Sequence, residues 1–178
     1  MRVVAGRHRG RRLKAPPGRG TRPTADRVRE ALFSILGPIE GISVLDLFAG
    51  SGALGIEALS RGAAAATFVE SDRRAAAAIE ANLEALGEEA DVVARDALAW
   101  LASAPPGTAF DLVFVDPPYD SADRLARSLS GRLPGVLAAG GLIVSESDRR
   151  KPLMLDLPLT DERIYGDTRI AIHSARRD

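Results

Sequence analysis

Residues 43–61 read SVLDLFAGSGALGIEALSR. Val44, Leu45, Leu47 and Phe48 make a near-continuous apolar run, broken by glycines and followed by a helical stretch over Ala53–Arg61. An apolar run that ends in a glycine turn and enters a helix is the opening βα unit of a parallel sheet. Gly50, Gly52 and Gly55 also fit G-x-G-x-x-G, a pattern often tied to dinucleotides. Several nucleotide-like cofactors use such turns, so the glycines alone leave the ligand open. A plain strand–helix turn needs one glycine rather than three.

The same rhythm repeats downstream. ATFVE (66–70), ADVVA (90–94), FDLVFVD (110–116) and GLIVSE (141–146) are further strand candidates. Helical stretches over Arg73–Leu86, Ala97–Ala102 and Arg124–Arg132 separate the elements. Apolar strands alternating with helices predict a doubly wound parallel sheet with helices on both faces. ERIYGDTRIAIHS (162–174) predicts a closing hairpin that turns at Gly166-Asp167. That ending is unusual for a dehydrogenase. The chain of 178 residues suits one domain, 1–178. Within it we read a basic hairpin arm over 1–22, a motif loop and helix over 23–40, and a Rossmann-like core over 41–178. RVVAG and RRLKA flank RHRG as the two sides of the small N-terminal β-hairpin. ADRVREALFSILG places Val28, Ala31, Leu32, Ile35 and Leu36 at helical spacing, with Thr24 or Asp26 as cap and Gly37-Pro38 as stop.

Formal net charge is zero, yet Met1–Arg29 holds ten Lys or Arg and one acid, Asp26. The remainder carries 14 basic and 23 acidic residues. A basic arm on an acidic body suits contact with a polyanion at one edge. The plain alternative is a solvated terminus. Arg7, Arg9, Arg11, Arg12 and Lys14 are the candidates for gripping the anionic groups of such a partner. An arginine-rich start also raises a transit peptide, but the first serine is Ser34 and Gly and Pro interrupt any helix. The chain has no cysteine, which excludes a disulfide scaffold, a thiolate metal site and a cysteine nucleophile, and is compatible with a cytoplasmic location. No apolar run reaches the roughly 18–20 residues of a membrane span. His8 and His173 are the only histidines, and no cluster has metal-ligand spacing. No metal and no covalent nucleophile are expected.

Ligands of an open parallel sheet lie beyond the carboxyl ends of its strands. The first strand carries Asp46 beside the glycine turn. The second ends in Glu70, which can accept from a ribose diol of either NAD or S-adenosylmethionine, or can be an ordinary exposed acid. After the third strand comes RDAL (95–98), where Asp96 and the Ala97 N–H can read an adenine edge. Asp96 also suits a helix N-cap, and both roles can coexist. The fourth strand ends in DPPY, Asp116-Pro117-Pro118-Tyr119. Two prolines fix φ and remove two donors, leaving a rigid turn rich in acceptors. Asp116 and the Pro117 carbonyl can both accept from one NH₂ group, and Tyr119 offers a face for a stacked base. A type I turn closing a strand is the ordinary alternative.

DLFAGSG, Glu70, RDAL and DPPY together resemble class I S-adenosylmethionine-dependent methyltransferases that modify exocyclic amines. RVVAGRHRGRRLKAP, TRPTADRVREALFSIL and GALGIEALSRGA resemble the RsmD family, which methylates N2 of one guanine in small-subunit (16S) ribosomal RNA. The resemblance implies a seven-stranded α/β sheet with the last strand antiparallel. It implies S-adenosylmethionine as cofactor, with Asp46, Phe48, Gly50 and Gly52 among its contacts and Gly55 left as a packing residue. Glu70 would hold the ribose, Asp96 and Ala97 the adenine, and a loop with Arg22, Pro23 and Thr24 would close over the cofactor. Asp116, Pro117, Pro118 and Tyr119 would form the catalytic turn. The implied partner is the small ribosomal subunit and the expected state a monomer. Rival readings are an N6-adenine methyltransferase, a dinucleotide oxidoreductase and a non-catalytic RNA-binding module. The oxidoreductase leaves DPPY and the arm unexplained.

Overall fold

The protein is described from a computed structural model over residues 1–16, 26–118 and 122–174. Helix α1 (Asp26–Leu36) precedes strand β1 (Ser43–Leu47), α2 (Ala53–Ser60), β2 (Ala65–Glu70) and α3 (Arg73–Leu86). There follow β3 (Asp91–Ala94), α4 (Ala97–Ala102), β4 (Phe110–Val115) and α5 (Ala122–Arg132). A short 3₁₀ turn (Leu133–Val136) leads into β5 (Leu137–Asp148), and β6 (Leu159–Tyr165) and β7 (Thr168–Ser174) end the fold. The seven strands form one sheet in the order β3-β2-β1-β4-β5-β7-β6. β1 to β5 pair in parallel, and β7 pairs antiparallel with both β5 and β6.

The apolar runs are buried on both sides because helices cover both faces. On β1 and β4, Val44, Leu112 and Phe114 face the cluster built by α1, α2 and α3, while Leu45, Leu47, Val113 and Val115 face the cluster of α4 and α5. Phe33 of α1 packs on Phe114 at 5.8 Å between ring centroids. Gly55 lies within α2 where a Cβ would come 2.3 Å from the Phe68 ring, so its smallness lets the helix seat on β2. The closing hairpin turns at Gly166-Asp167, as the sequence predicts. Its register partners run from Tyr165↔Thr168 outward. Leu153 and Leu155, between β5 and β6, fill the second face as irregular chain that the sequence pattern does not signal.

The N-terminal hairpin exists, but as a short ladder outside the sheet. Its rungs are the Arg2↔Arg12 bridge and the bonds from Val3 N to Arg11 O and from Gly10 N to Val3 O. It is docked along α2 and α3 rather than projecting as an arm. Glu57, fully buried on α2, accepts from Val4 N (2.7 Å) and Ala5 N (2.9 Å). The same carboxylate takes Arg61 Nε at 2.8 Å and lies 3.5 Å from Nε of the fully buried Arg29 on α1. Arg29 in turn donates to Asp26 and to the Arg2 carbonyl. One carboxylate therefore joins the hairpin, α1 and α2.

Removing one partner of a buried pair leaves an uncompensated charge. Glu57→Gln is expected to cost about 3–5 kcal/mol in urea unfolding. A loss under about 1 kcal/mol would show that the hub is not structural.

Candidate active site

Every strand of the parallel set ends at the same edge, and the described cofactor and DPPY candidates gather there. β1 and β4 are register neighbours, with Asp46 opposite Phe114. Phe48 follows with φ +85°, a conformation costly for a side chain with a Cβ and concentrated at functional sites. The Phe48 and Ala49 amides both donate to Val69 O, which holds the chain in that bend. Gly50 and Gly52 then take φ +55° and +75°. A Cβ on Gly50 would meet nothing closer than Phe48 O at 4.0 Å, so its face is open for a ligand. At Gly52, by contrast, a Cβ would press on Ile79 and Ile56.

Asp46 is 3% exposed and its Oδ2 accepts from Gly55 N at 2.9 Å. The bond caps the start of α2, where Gly52 provides no side chain. Burial pushes the Asp46 carboxyl up to about 7, opposed by the Gly55 amide and assisted by the Glu70 charge. Glu70 ends β2 with each oxygen already holding one backbone N–H, Gly50 N at 2.7 Å and Asp72 N at 2.8 Å. A carboxylate has room for further donors, so a ribose diol can still be received. Asp96 is the N-cap of α4, accepting from Ala99 N at 2.9 Å, and Ala97 is buried behind it. The capping role is therefore present, and it leaves Asp96 exposed at the ligand edge.

Asp116 is half-buried just beyond β4, Pro117 is buried and Pro118 exposed. Tyr119, Arg22, Pro23 and Thr24 lie outside the described residues. Burial, then the charges of Glu146 and Asp46, holds the Asp116 carboxyl well above the usual range. Glu146 is the residue that strand-by-strand reading missed. It is 5% exposed on β5, one position past the Val115↔Ser145 pair, and so lies abreast of Asp116. GLIVSE placed it at a strand end, but only the order β1-β4-β5 brings it abreast of Asp116, with Asp46 two residues back on the other neighbouring strand. Among the described residues no His, Asp or Glu group has the arrangement to hold a metal ion.

The RNA-contact candidates are divided. Arg7 makes a two-pronged pair with Glu88, both bonds at 2.7 Å, and His8 also meets Glu88. Arg11 donates to the Ala85 carbonyl. Arg9, Arg12 and Lys14 keep exposed side chains. The hairpin tip sits where α2 ends, with Arg7 N on Ser60 O, hence at the amino edge of the sheet and away from Asp116.

A doubly wound seven-stranded sheet with this order, a glycine turn after β1 and DPPY after β4 defines a class I methyltransferase fold. A Thermus thermophilus protein described only as hypothetical superimposes with a TM-score of 0.84 at 34% identity, covering 97% of this chain and 98% of its own. The 16S rRNA N2 G1207 methyltransferase of T. thermophilus, solved with AdoMet and guanosine, shares the fold at a TM-score of 0.70 and 24% identity, covering 90% of this chain and 44% of its own. Residues 1–174 match the family described as Conserved hypothetical protein 95. The ribosomal RNA small subunit methyltransferase D of Haemophilus influenzae is 41% identical over 160 residues, which is 86% of this chain and 82% of that protein. The chain belongs to the RsmD family.

The buried acids make a pH prediction. A carboxyl whose folded pKa is raised favours folding below its unfolded value and disfavours it as pH rises toward the folded value. For Asp46 that window runs from 3.8 to about 7. Relative to wild type, Asp46→Asn should gain a few kcal/mol of stability on moving from pH 4 to pH 8. Urea unfolding at both pH values checks it; a difference independent of pH would contradict it.

Proposed function

We propose that this protein transfers a methyl group from S-adenosylmethionine to the exocyclic N2 of a specific guanine in 16S rRNA of the small ribosomal subunit. The observation that carries the reading is the pairing of Asp116-Pro117-Pro118 with the glycine turn and Asp46 at one sheet edge. Buried carboxylates there want N–H donors and positive charge, and an aryl amine and a sulfonium provide them. The H. influenzae relative's name and family membership support the ribosomal substrate.

S-adenosylmethionine supplies, when bound, an electrophilic methyl on a cationic sulfur that departs as a neutral thioether. Asp46 and the Gly50 turn would receive the methionine end, Glu70 the ribose, and Asp96 with Ala97 the adenine. Phe48 fixes the turn between them. Asp116 and the Pro117 carbonyl would accept both N–H bonds of the guanine amine and so direct its lone pair. That lone pair is delocalised into the ring, and holding it in line is what the turn contributes, an effect worth on the order of 7–11 kcal/mol when fully oriented. Proximity to a cation opposes the rise of the Asp116 carboxyl and favours its accepting, ionised form. The proton lost after transfer leaves along the Asp116 contact or to water. Pro118 and Tyr119 would shape the base pocket, with Tyr119 as stacking face, and the Arg22–Thr24 loop would close over the cofactor. The target base must be unpaired or flipped to reach it.

We read the protein as a cytoplasmic monomer that acts on the assembling or assembled subunit. Among the described residues no helix is long and apolar enough to cross a membrane. Arg9, Arg12 and Lys14 remain the hairpin's exposed phosphate contacts, with Arg7 and Arg11 available after exchange of their present partners.

Asp116→Ala is expected to abolish methyl transfer while calorimetry finds S-adenosylmethionine affinity within a few-fold of wild type. Full activity in that variant overturns the mechanism, and tight NADH binding in place of S-adenosylmethionine overturns the class. If Arg9, Arg12 and Lys14 each bind one phosphate, replacing all three with Gln should flatten the log–log salt slope of subunit binding by about 2–3, at roughly 0.7–0.9 per contact. An unchanged slope removes the hairpin from the interface.

A further inference from the structure

Outside the hairpin, one run of three cations stands consecutively in the chain, Arg149-Arg150-Lys151. At the amino edge the exposed charges include Glu40, Glu89, Asp91 and Asp111. At the carboxyl edge, the turn that leaves β5 presents Arg149, Arg150 and Lys151 in succession, all exposed. Three consecutive cations thus stand at the same edge as Asp116. The hairpin tip lies at the opposite end, where Arg7 is already neutralised by Glu88.

The β5 turn is ordered by its own backbone. Asp148 Oδ1 accepts from Arg150 N at 2.7 Å, Lys151 N reaches Asp148 O at 3.1 Å, and Arg149 N donates to Asp167 O at 2.9 Å across the β6–β7 turn. Its counter-charge is thin. A single carboxylate, Asp167, is shared by Arg149 at 3.4 Å and Arg150 at 3.6 Å, with the arginine side chains 48% and 72% exposed. Exposed pairs of that kind are worth roughly 0–1 kcal/mol and yield readily to a phosphate, which guanidinium binds bidentately. Lys151 has no ion pair among the described residues. Glu146 is abreast of Asp116 on the adjacent strand, so Arg149 lies roughly 10 Å further along, at 3.2–3.4 Å per residue. That is the distance scale of the backbone flanking a base held at Asp116.

We propose that Arg149, Arg150 and Lys151 form a phosphate clamp that grips the substrate RNA strand next to the target nucleotide. The proposal rests on the reading of the substrate as ribosomal RNA. The clamp contributes affinity and register without touching the reacting atoms. It also accounts for an RNA-binding site whose most obvious basic segment is docked elsewhere.

The test compares wild type with the triple variant Arg149→Gln, Arg150→Gln, Lys151→Gln. The neutral variant avoids placing acids beside Asp148 and Asp167. Equilibrium binding to small ribosomal subunits lacking the methylation is measured from 50 to 200 mM salt. A second variant, Arg127→Gln with Arg132→Gln on α5, controls for loss of exposed positive charge elsewhere on the surface. Circular dichroism and S-adenosylmethionine binding, expected within twofold of wild type, report folding. The clamp predicts at least tenfold weaker binding for the triple variant at 100 mM salt and a slope flatter by about 2–3, with the α5 variant near wild type. Equal affinity and slope in wild type and triple variant overturn it, as does an equal loss in the α5 variant. Nucleoside analysis of the methylated product separates the two readings. Label on another base would refute the guanine N2 assignment while the slope comparison still judges the clamp.

Discussion

The bond from the Gly55 amide to the buried Asp46 carboxylate organises the ligand edge. It fixes the start of α2 without a capping side chain and closes the glycine turn over the end of β1. The turn is braced on its other side by Glu70, which holds Gly50 N. Asp46 therefore carries a structural load and a chemical one. Its burial makes the charged form costly, and the Asp116 carboxyl nearby is raised in the same way by burial, Glu146 and Asp46. A cationic ligand relieves that strain, so the electrostatics that make the edge costly when empty of positive charge favour a sulfonium and an amine donor together.

A second buried charge serves the N-terminal part of the chain. Glu57 joins the hairpin backbone, Arg29 of α1 and Arg61 at the end of α2. Arg61 also lies over the Phe33 ring at 4.7 Å, and Phe33 packs on Phe114 two positions before Asp116. The N-terminal residues are thereby coupled mechanically to the strand that ends in the DPPY turn. The hairpin's first contribution is to build this face of the domain, and any RNA contact is made from that fixed position.

The sheet was legible because its signals are local. Apolar runs bounded by glycines, helical spacing between them and the Gly166-Asp167 turn are each contained within a dozen residues. Asp46, Asp116 and Glu70 were legible as strand-end acids for the same reason, while Gly55 as a packing glycine came only with the family resemblance. What escaped depends on distant partners. The Arg7–Glu88 pair spans 81 positions and the Val4–Glu57 bond 53, so no window along the chain reveals that the arm is docked. Glu146 needed the strand order, since β5 is next to β4 but remote from β1 in sequence. Arg149, Arg150 and Lys151 carry no local signal of a role, and β5 alone sets them at the carboxyl edge of the sheet.

The central claim is that the acids at this edge direct a methyl group to guanine N2. Its most direct measurement is transfer of labelled methyl from S-adenosylmethionine to small ribosomal subunits that lack the modification, followed by nucleoside analysis of the 16S rRNA. The account predicts label in N2-methylguanosine at a single position, at most one methyl per subunit. Label in N6-methyladenosine, or none in RNA, would contradict it.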